Sequence, residues 1–182
     1  MGYLIICLAN MMKNISYFDG LDVFLCGLDV VYTDSFDQRW PDLFSIQFLH
    51  RGSMLFGRNG NVPLRLAAPT LYWIEPEHRY FLSRADGDDA RHFVLFRGSE
   101  GARLMSKGFA CLSPDGFIAV DRPSEVDALF RTLDRIPQTP TPTTQAEARL
   151  LLERILLVLA TPAPKEVSTL FESIAAAAQY LR

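Results

Sequence analysis

In LFSIQFLHRG, Leu43–Gly52, the residues Phe44, Ile46 and Phe48 fall on one side and Ser45 and Gln47 on the other. A period of two marks a strand with one apolar and one polar face. The same period, less strict, runs through 21–34 as one or two strands. It returns at 53–57, at 62–66, in the interrupted pair TLYWIEP and HRYFL, at 89–97 and at 116–120. Asn59-Gly60 joins two of these runs with residues that tolerate positive φ, which predicts a tight hairpin turn. The acidic stretch RADGDDA predicts a loop before 89–97.

Beyond residue 120 the period becomes helical. Val126, Leu129, Phe130, Leu133 and Ile136 share a face of PSEVDALFRTLDRI, with Ser124 placed to cap its start. PQTPTPTT is a stiff connector that cannot continue a helix. Thr144 and Glu147 form a capping box for QAEARLLLERILLVLA, 145–160. The second half of that helix is apolar almost all round, so it needs cover on two sides. The barrel is expected to supply one cover and a second copy of the chain the other. TPAPKEV, 161–167, then breaks the pattern before a last helix at 168–182. Strands first and helices afterwards predict a mainly β (α+β) chain, a barrel with C-terminal helices.

Composition narrows the function classes. A length of 182 residues holds one well-filled core and an appendage. The 13 Phe, 6 Tyr and 2 Trp suit a barrel or sandwich. A net charge of −3 gives no basic footprint for nucleic acid. Cys7, Cys26 and Cys111, odd in number and widely spaced, are expected as free thiols of a cytoplasmic protein. YLIICLA at 3–9 is too short to span a bilayer and lacks a basic segment before it; an apolar strand or an over-extended start is expected. No membrane association is predicted.

The three histidines, His50, His78 and His92, lie on different strands and form no H-x-H pair. Neither a metal site nor a cofactor nor a catalytic triad is therefore expected. His78 and Tyr80 stand two apart on one strand face, and Arg91, Phe93 and Leu95 share a face of the next strand. If both faces look inward, an imidazole and a guanidinium meet an aromatic wall, as small-molecule recognition requires. Each residue keeps a second reading. Trp73 and Phe93 suit core packing equally well, His78 can be a core side chain bonded to backbone, and Arg91 can be a solvated edge charge.

FLHRGSMLF, LAAPTLYWIEPEHRYFL, RHFVLFRG and IAAAAQYLR, in that order, resemble the N-terminal effector-binding and dimerisation half of AraC-type (AraC/XylS family) transcription regulators. The resemblance covers about residues 36–182 and departs at Ala68-Pro69-Thr70, where the family usually has Pro-Gly-Asp. It implies a cupin-like double-stranded β-helix (jelly-roll) barrel with an N-terminal arm at 1–120 and a dimerisation helix pair at 121–160. A linker at 161–167 and, at 168–182, the first helix of a DNA-binding domain absent here would follow. The implied partners are a sugar-like or aromatic metabolite as effector, a second copy of the chain, and DNA only through the missing domain. The implied effector contacts are Tyr80, Arg91 and Phe93, with Arg39 and Trp40 near the place of a pocket-reaching arginine; Trp73 and His78 complete the candidate set. Leu150, Leu151, Ile155, Leu156 and Leu159 are the expected dimer residues. On this reading the chain is not an enzyme. The alternative is a stand-alone metal-dependent cupin enzyme of isomerase or dioxygenase type, with a site assembled from His78, Glu75 and another residue.

Overall fold

The computed structural model describes residues 20–31, 34–85, 88–137 and 141–161. The expected N-terminal strand with Cys7, most of the N-terminal arm, the linker beyond Thr161 and the final helix lie outside the described residues.

Nine strands are present among the described residues: β1 (Asp22–Val30), β2 (Phe36–Arg39), β3 (Phe44–Arg51), β4 (Ser53–Arg58), β5 (Leu64–Ala67), β6 (Thr70–Ile74), β7 (Arg79–Arg84), β8 (Ala90–Arg97) and β9 (Phe117–Ala119). They form two antiparallel sheets, ordered β1-β8-β3-β6-β9 and β2-β7-β4-β5. Apart from the β4–β5 hairpin, which stays within one sheet, the first eight strands alternate between the sheets in jelly-roll order. The fold is the double-stranded β-helix of the cupins, mainly β with C-terminal helices. Asn59 and Gly60 turn the β4–β5 hairpin at φ 55° and 79°, the positive values their residue types favour.

The five-stranded sheet is covered on both faces. Leu49, Tyr72 and Ile74 point into the barrel against Met54, Phe56, Leu66, Tyr80 and Leu82 of the opposite sheet. Ile46, Phe48, Leu71, Trp73, Val94 and Phe96 point out and pack beneath the helices. Double cover explains why every residue of β6 is buried, although a one-faced strand would alternate.

Among the described residues three helices make the outer layer. α1 starts at Ser99–Leu104, passes through a π turn at Met105–Phe109 and ends at Ala110–Leu112; α2 spans Pro123–Asp134 and α3 spans Pro142–Ala160. α1 has no counterpart in the sequence pattern. Two of its four buried positions are glycines, Gly101 and Gly108, so Met105 and Phe109 alone give it no continuous apolar face. Gly108 lets α1 approach α3 closely, because a Cβ there would stand 2.6 Å from Leu156 Cδ2. β2 also escapes the pattern, since three of its four residues are exposed at a sheet edge.

Both helix starts differ from expectation. α2 is capped by Arg122 with Pro123 at the first position and has no side-chain cap, so Ser124 lies inside the helix. α3 starts three residues early, with Thr141 and Thr144 forming the reciprocal capping box and Pro142 at the first position. Proline suits the first turn, where its missing N–H would have no helical partner. Among the described residues no helix is long and apolar enough to cross a membrane.

Candidate functional site in the barrel

Inside the barrel the apolar side chains enclose a connected polar set. Arg91 (1% exposed) and Asp89 (0%) form an ion pair at 2.5 Å. The other Asp89 oxygen accepts from Arg84 Nε at 3.0 Å. Arg91 Nη1 donates to the Tyr72 hydroxyl at 2.8 Å, and that hydroxyl donates to Gln47 Oε1 at 2.5 Å. Gln47 Nε2 continues the chain to Ser45 Oγ at 3.3 Å. Burial opposes a charge on Arg91, but the neighbouring Tyr72 and Asp89 outweigh it and hold the guanidinium protonated above its usual range.

An aromatic row continues from this network. Phe56 meets Tyr72 edge-on at 5.5 Å, Tyr80 at 6.0 Å and Phe117 at 6.1 Å. The Tyr80 hydroxyl accepts the Glu75 backbone N–H at 3.0 Å, and burial pushes its ionisation up to about 12. Trp40 packs on Phe36 at 5.4 Å and against the interior cluster. Its buried indole N–H has no acceptor among the described residues.

The candidate residues separate into groups. Tyr80 and Arg91 both point inward and are linked through Phe56 and Tyr72. Arg91 is a buried ion-pair member, which removes the edge-charge reading. Phe93 shares Arg91's strand face, and its ring fills the space over Gly27 of β1. Arg39 is largely exposed and pairs with Glu77 at the surface. His78 stands in the turn before β7, so it shares no strand face with Tyr80; its ring contacts Asn59 Nδ2 at 3.0 Å. Trp73 is on the opposite face of the sheet, 6.0 Å from Phe109 in the core beneath the helices. Glu75 faces Arg58 at 3.5 Å while His78 faces Asn59, so these two are engaged with different partners.

Gln47, Tyr72 and Asp89 carry the interior network and were not singled out by sequence. Gln47 did show, with Ser45, on the polar face of its strand. Asp89 sits at the end of the acidic loop, where nothing local separates it from its solvated neighbours. Its inward turn depends on Gly52, whose φ of +76° and missing Cβ admit the backbone of Asp88 and Asp89.

On α3 the expected interface residues also divide. Ile155 is fully buried in the chain's own core, and Leu151, Leu156 and Leu159 pack partly against it. Leu150 stands out at 64% exposed, and Leu157, seven residues on, is equally exposed. A cleft of about 270 Å³ also opens between α1 and α3, lined by Leu21, Arg103, Lys107 and Leu156, with Glu100 and Glu153 already paired to arginines.

No family model and no curated protein matches the sequence. Solved structures similar to this chain include AraC-like regulators and cupin proteins. Apo ToxT from Vibrio cholerae has 12% identity and a TM-score of 0.47, over 82% of this chain and 64% of that one. The AraC-like transcriptional activator CuxR has 9% identity and a TM-score of 0.45, over 69% of this chain and 45% of that one. A predicted oxalate decarboxylase from Thermotoga maritima has 13% identity and a TM-score of 0.36, over 42% of this chain and 67% of that one. The strand order, not these likenesses, defines the fold.

Proposed function

We propose that this chain is the effector-binding and dimerisation half of a cytoplasmic AraC-type transcription regulator, not an enzyme. Its effector, a small sugar-like or aromatic metabolite, binds inside the barrel, and its DNA-binding domain is a separate unit absent from this sequence. The buried Arg91–Asp89 pair within an aromatic-lined barrel carries the reading. Well-packed apolar residues would fill that interior at least as stably as a desolvated ion pair. Polar groups kept in such a place favour recognition of a guest with matching polar atoms.

Trp40 strengthens the reading, because a buried donor without an acceptor awaits one. A hydroxyl or carboxylate of the effector would take the indole N–H, and another would share the Arg91 guanidinium with Tyr72. Since Gln47, Tyr72 and Arg91 come from β3, β6 and β8, such an exchange would alter links between three strands. It regulates only if the effector binds two arrangements of the domain with different affinity. The sequence resemblance supports a dimer, and the exposed Leu150 and Leu157 two turns apart give α3 an apolar stripe for it.

A thermal-unfolding screen against monosaccharides and aromatic acids tests the binding. At least one compound should raise the midpoint, with the affinity falling about tenfold in Trp40→Phe, which keeps a ring but removes the donor. A full panel without any shift would sink the effector reading. For the dimer, sedimentation at tens of micromolar should show a two-chain species that Leu150→Glu and Leu157→Glu dissociate; a monomeric wild type refutes it.

A further inference from the structure

Asp29, His50 and His92 lie on the outer face of the five-stranded sheet, away from the barrel interior. They come from three adjacent strands, β1, β3 and β8, and two irregularities bring them together. The β1–β8 register slips by one residue between Gly27 and Val30, and the β3–β8 register slips by one between Leu49 and Arg51. His92, on β8, is flanked by both slips. A bulge leaves one residue outside the ladder and re-aims its side chain. Here the bulged residues turn Asp29 and His50 towards His92 from opposite sides. Asp29 holds a left-handed backbone, φ 51°, which few residue types other than glycine, asparagine and aspartate accept.

One donor atom from each of the three side chains falls within 4.8 Å of the other two. The two imidazoles stack with centroids 4.3 Å apart. His50 Nε2 is buried and stands 3.1 Å from Asp29 Oδ1, yet makes no hydrogen bond among the described residues. Two donor atoms that close without facing each other have the disposition of two ligands on one ion. With bonds of about 2.0–2.2 Å and tetrahedral angles, neighbouring ligand atoms stand about 3.3–3.6 Å apart. His92 is prepared in the same sense. Its Nε2 faces Asp127 Oδ1 of α2 at 2.8 Å, so the carboxylate favours the proton there and leaves Nδ1 basic. Nδ1 accepts the Asp29 backbone N–H at 3.0 Å, which directs its lone pair to the Asp29 bulge.

We propose that Asp29, His50 and His92 form a binding site for a divalent transition-metal ion that takes nitrogen and oxygen ligands, zinc foremost, with Asp127 orienting His92 from α2. Three protein ligands leave a fourth position for water or an external group. To bind, the ion displaces the Asp29 N–H from His92 Nδ1. It also draws Asp29 from Arg131, whose Nη1 is 3.7 Å from Asp29 Oδ2 and whose side chain is 43% exposed, free to swing outward. The bound ion would tie β1, β3 and β8 together and, through Asp127, couple them to α2. The site shares no residue with the barrel set, so it stands or falls independently of effector binding.

The test uses the whole chain, stripped with a chelator, dialysed and titrated with Co²⁺ and then Zn²⁺. One equivalent of Co²⁺ should bind with visible d–d absorption, and Zn²⁺ should bleach it. His50→Gln and Asp29→Asn should each weaken Zn²⁺ at least tenfold, while His78→Gln and Cys111→Ser leave it unchanged. Asparagine tolerates the positive φ at position 29 and His50 is near the surface, so both variants should keep a cooperative thermal transition that verifies folding. Absence of saturable binding in the wild type, or undiminished binding in both folded variants, would overturn the proposal.

Discussion

The two faces of the five-stranded sheet each bury a polar cluster, and the two clusters are built on opposite principles. Inside the barrel, Asp89, Arg91, Tyr72, Gln47 and Ser45 lie on regular ladder positions or just beside them, and each is bonded to the next. Beneath the helices, Asp29 and His50 are bulge residues, and the cluster keeps a buried nitrogen that bonds to nothing among the described residues. The first arrangement is a continuous chain of bonds in which Asp89 is shared by Arg84 and Arg91, so a guest must replace existing bonds. The second is open at one point, and a cation would complete it. Burial alone does not reveal which kind of site a polar cluster is; the bonding between its side chains and the regularity of the strands that carry them do.

Removing one member from each side should expose this difference. Asp89→Ala leaves the Arg91 guanidinium buried without its carboxylate and should cost about 3–5 kcal/mol in urea unfolding. A loss under about 1 kcal/mol would mean that water reaches the barrel interior and the network is not closed. On the outer face, Asp127→Ala removes the acceptor of His92 Nε2 but also opens a path for water from the half-exposed helix surface. A smaller loss of about 1–3 kcal/mol is expected, and a loss matching that of Asp89→Ala would erase the contrast. The smallest effect is chemical. Burial, with the Asp134 charge adding to it, pushes the Cys26 thiol up to about 12, whereas Cys111 is exposed. In a Cys7→Ser background, maleimide should label Cys111 at pH 8 and leave Cys26 unmodified in the folded protein until about pH 10. Equal labelling of the two thiols would show that the space beneath the helices is wet.

His50 adds a electrostatic detail to the outer face. Burial, reinforced by the adjacent His92, lowers its affinity for a proton, while Asp29 and Asp127 act against this. Asp127 is shifted in the same direction for a different reason: burial would raise it, but Arg131 and His92 hold its carboxyl below the usual range. A neutral imidazole beside an ionised carboxylate is the state both groups favour.

Much of the barrel was legible because its signals are local. The alternation in Leu43–Gly52, the Asn59-Gly60 turn and the helical spacing from Val126 to Leu133 each depend on neighbours within a few residues. Tyr80 and Arg91 could be placed on inward faces for the same reason. The helix starts were misplaced by up to three residues: Ser124 reads as a cap, and Pro142 falls in the connector PQTPTPTT although the first helical position accepts proline. α1 stayed hidden because glycines hold two of its buried positions, Gly101 and Gly108, and leave only Met105 and Phe109 as its buried apolar side chains.

The sequence by itself determined most of the strands, the two C-terminal helices α2 and α3 and the hairpin turn, since backbone preference and one-dimensional spacing decide these. Tertiary structure alone decided that Trp73 packs under α1, that Asp89 turns inward to Arg91, and that Asp29, His50 and His92 meet. Those meetings depend on cross-strand register and on two one-residue bulges, and pairing between segments distant in the chain leaves no periodic trace in either of them.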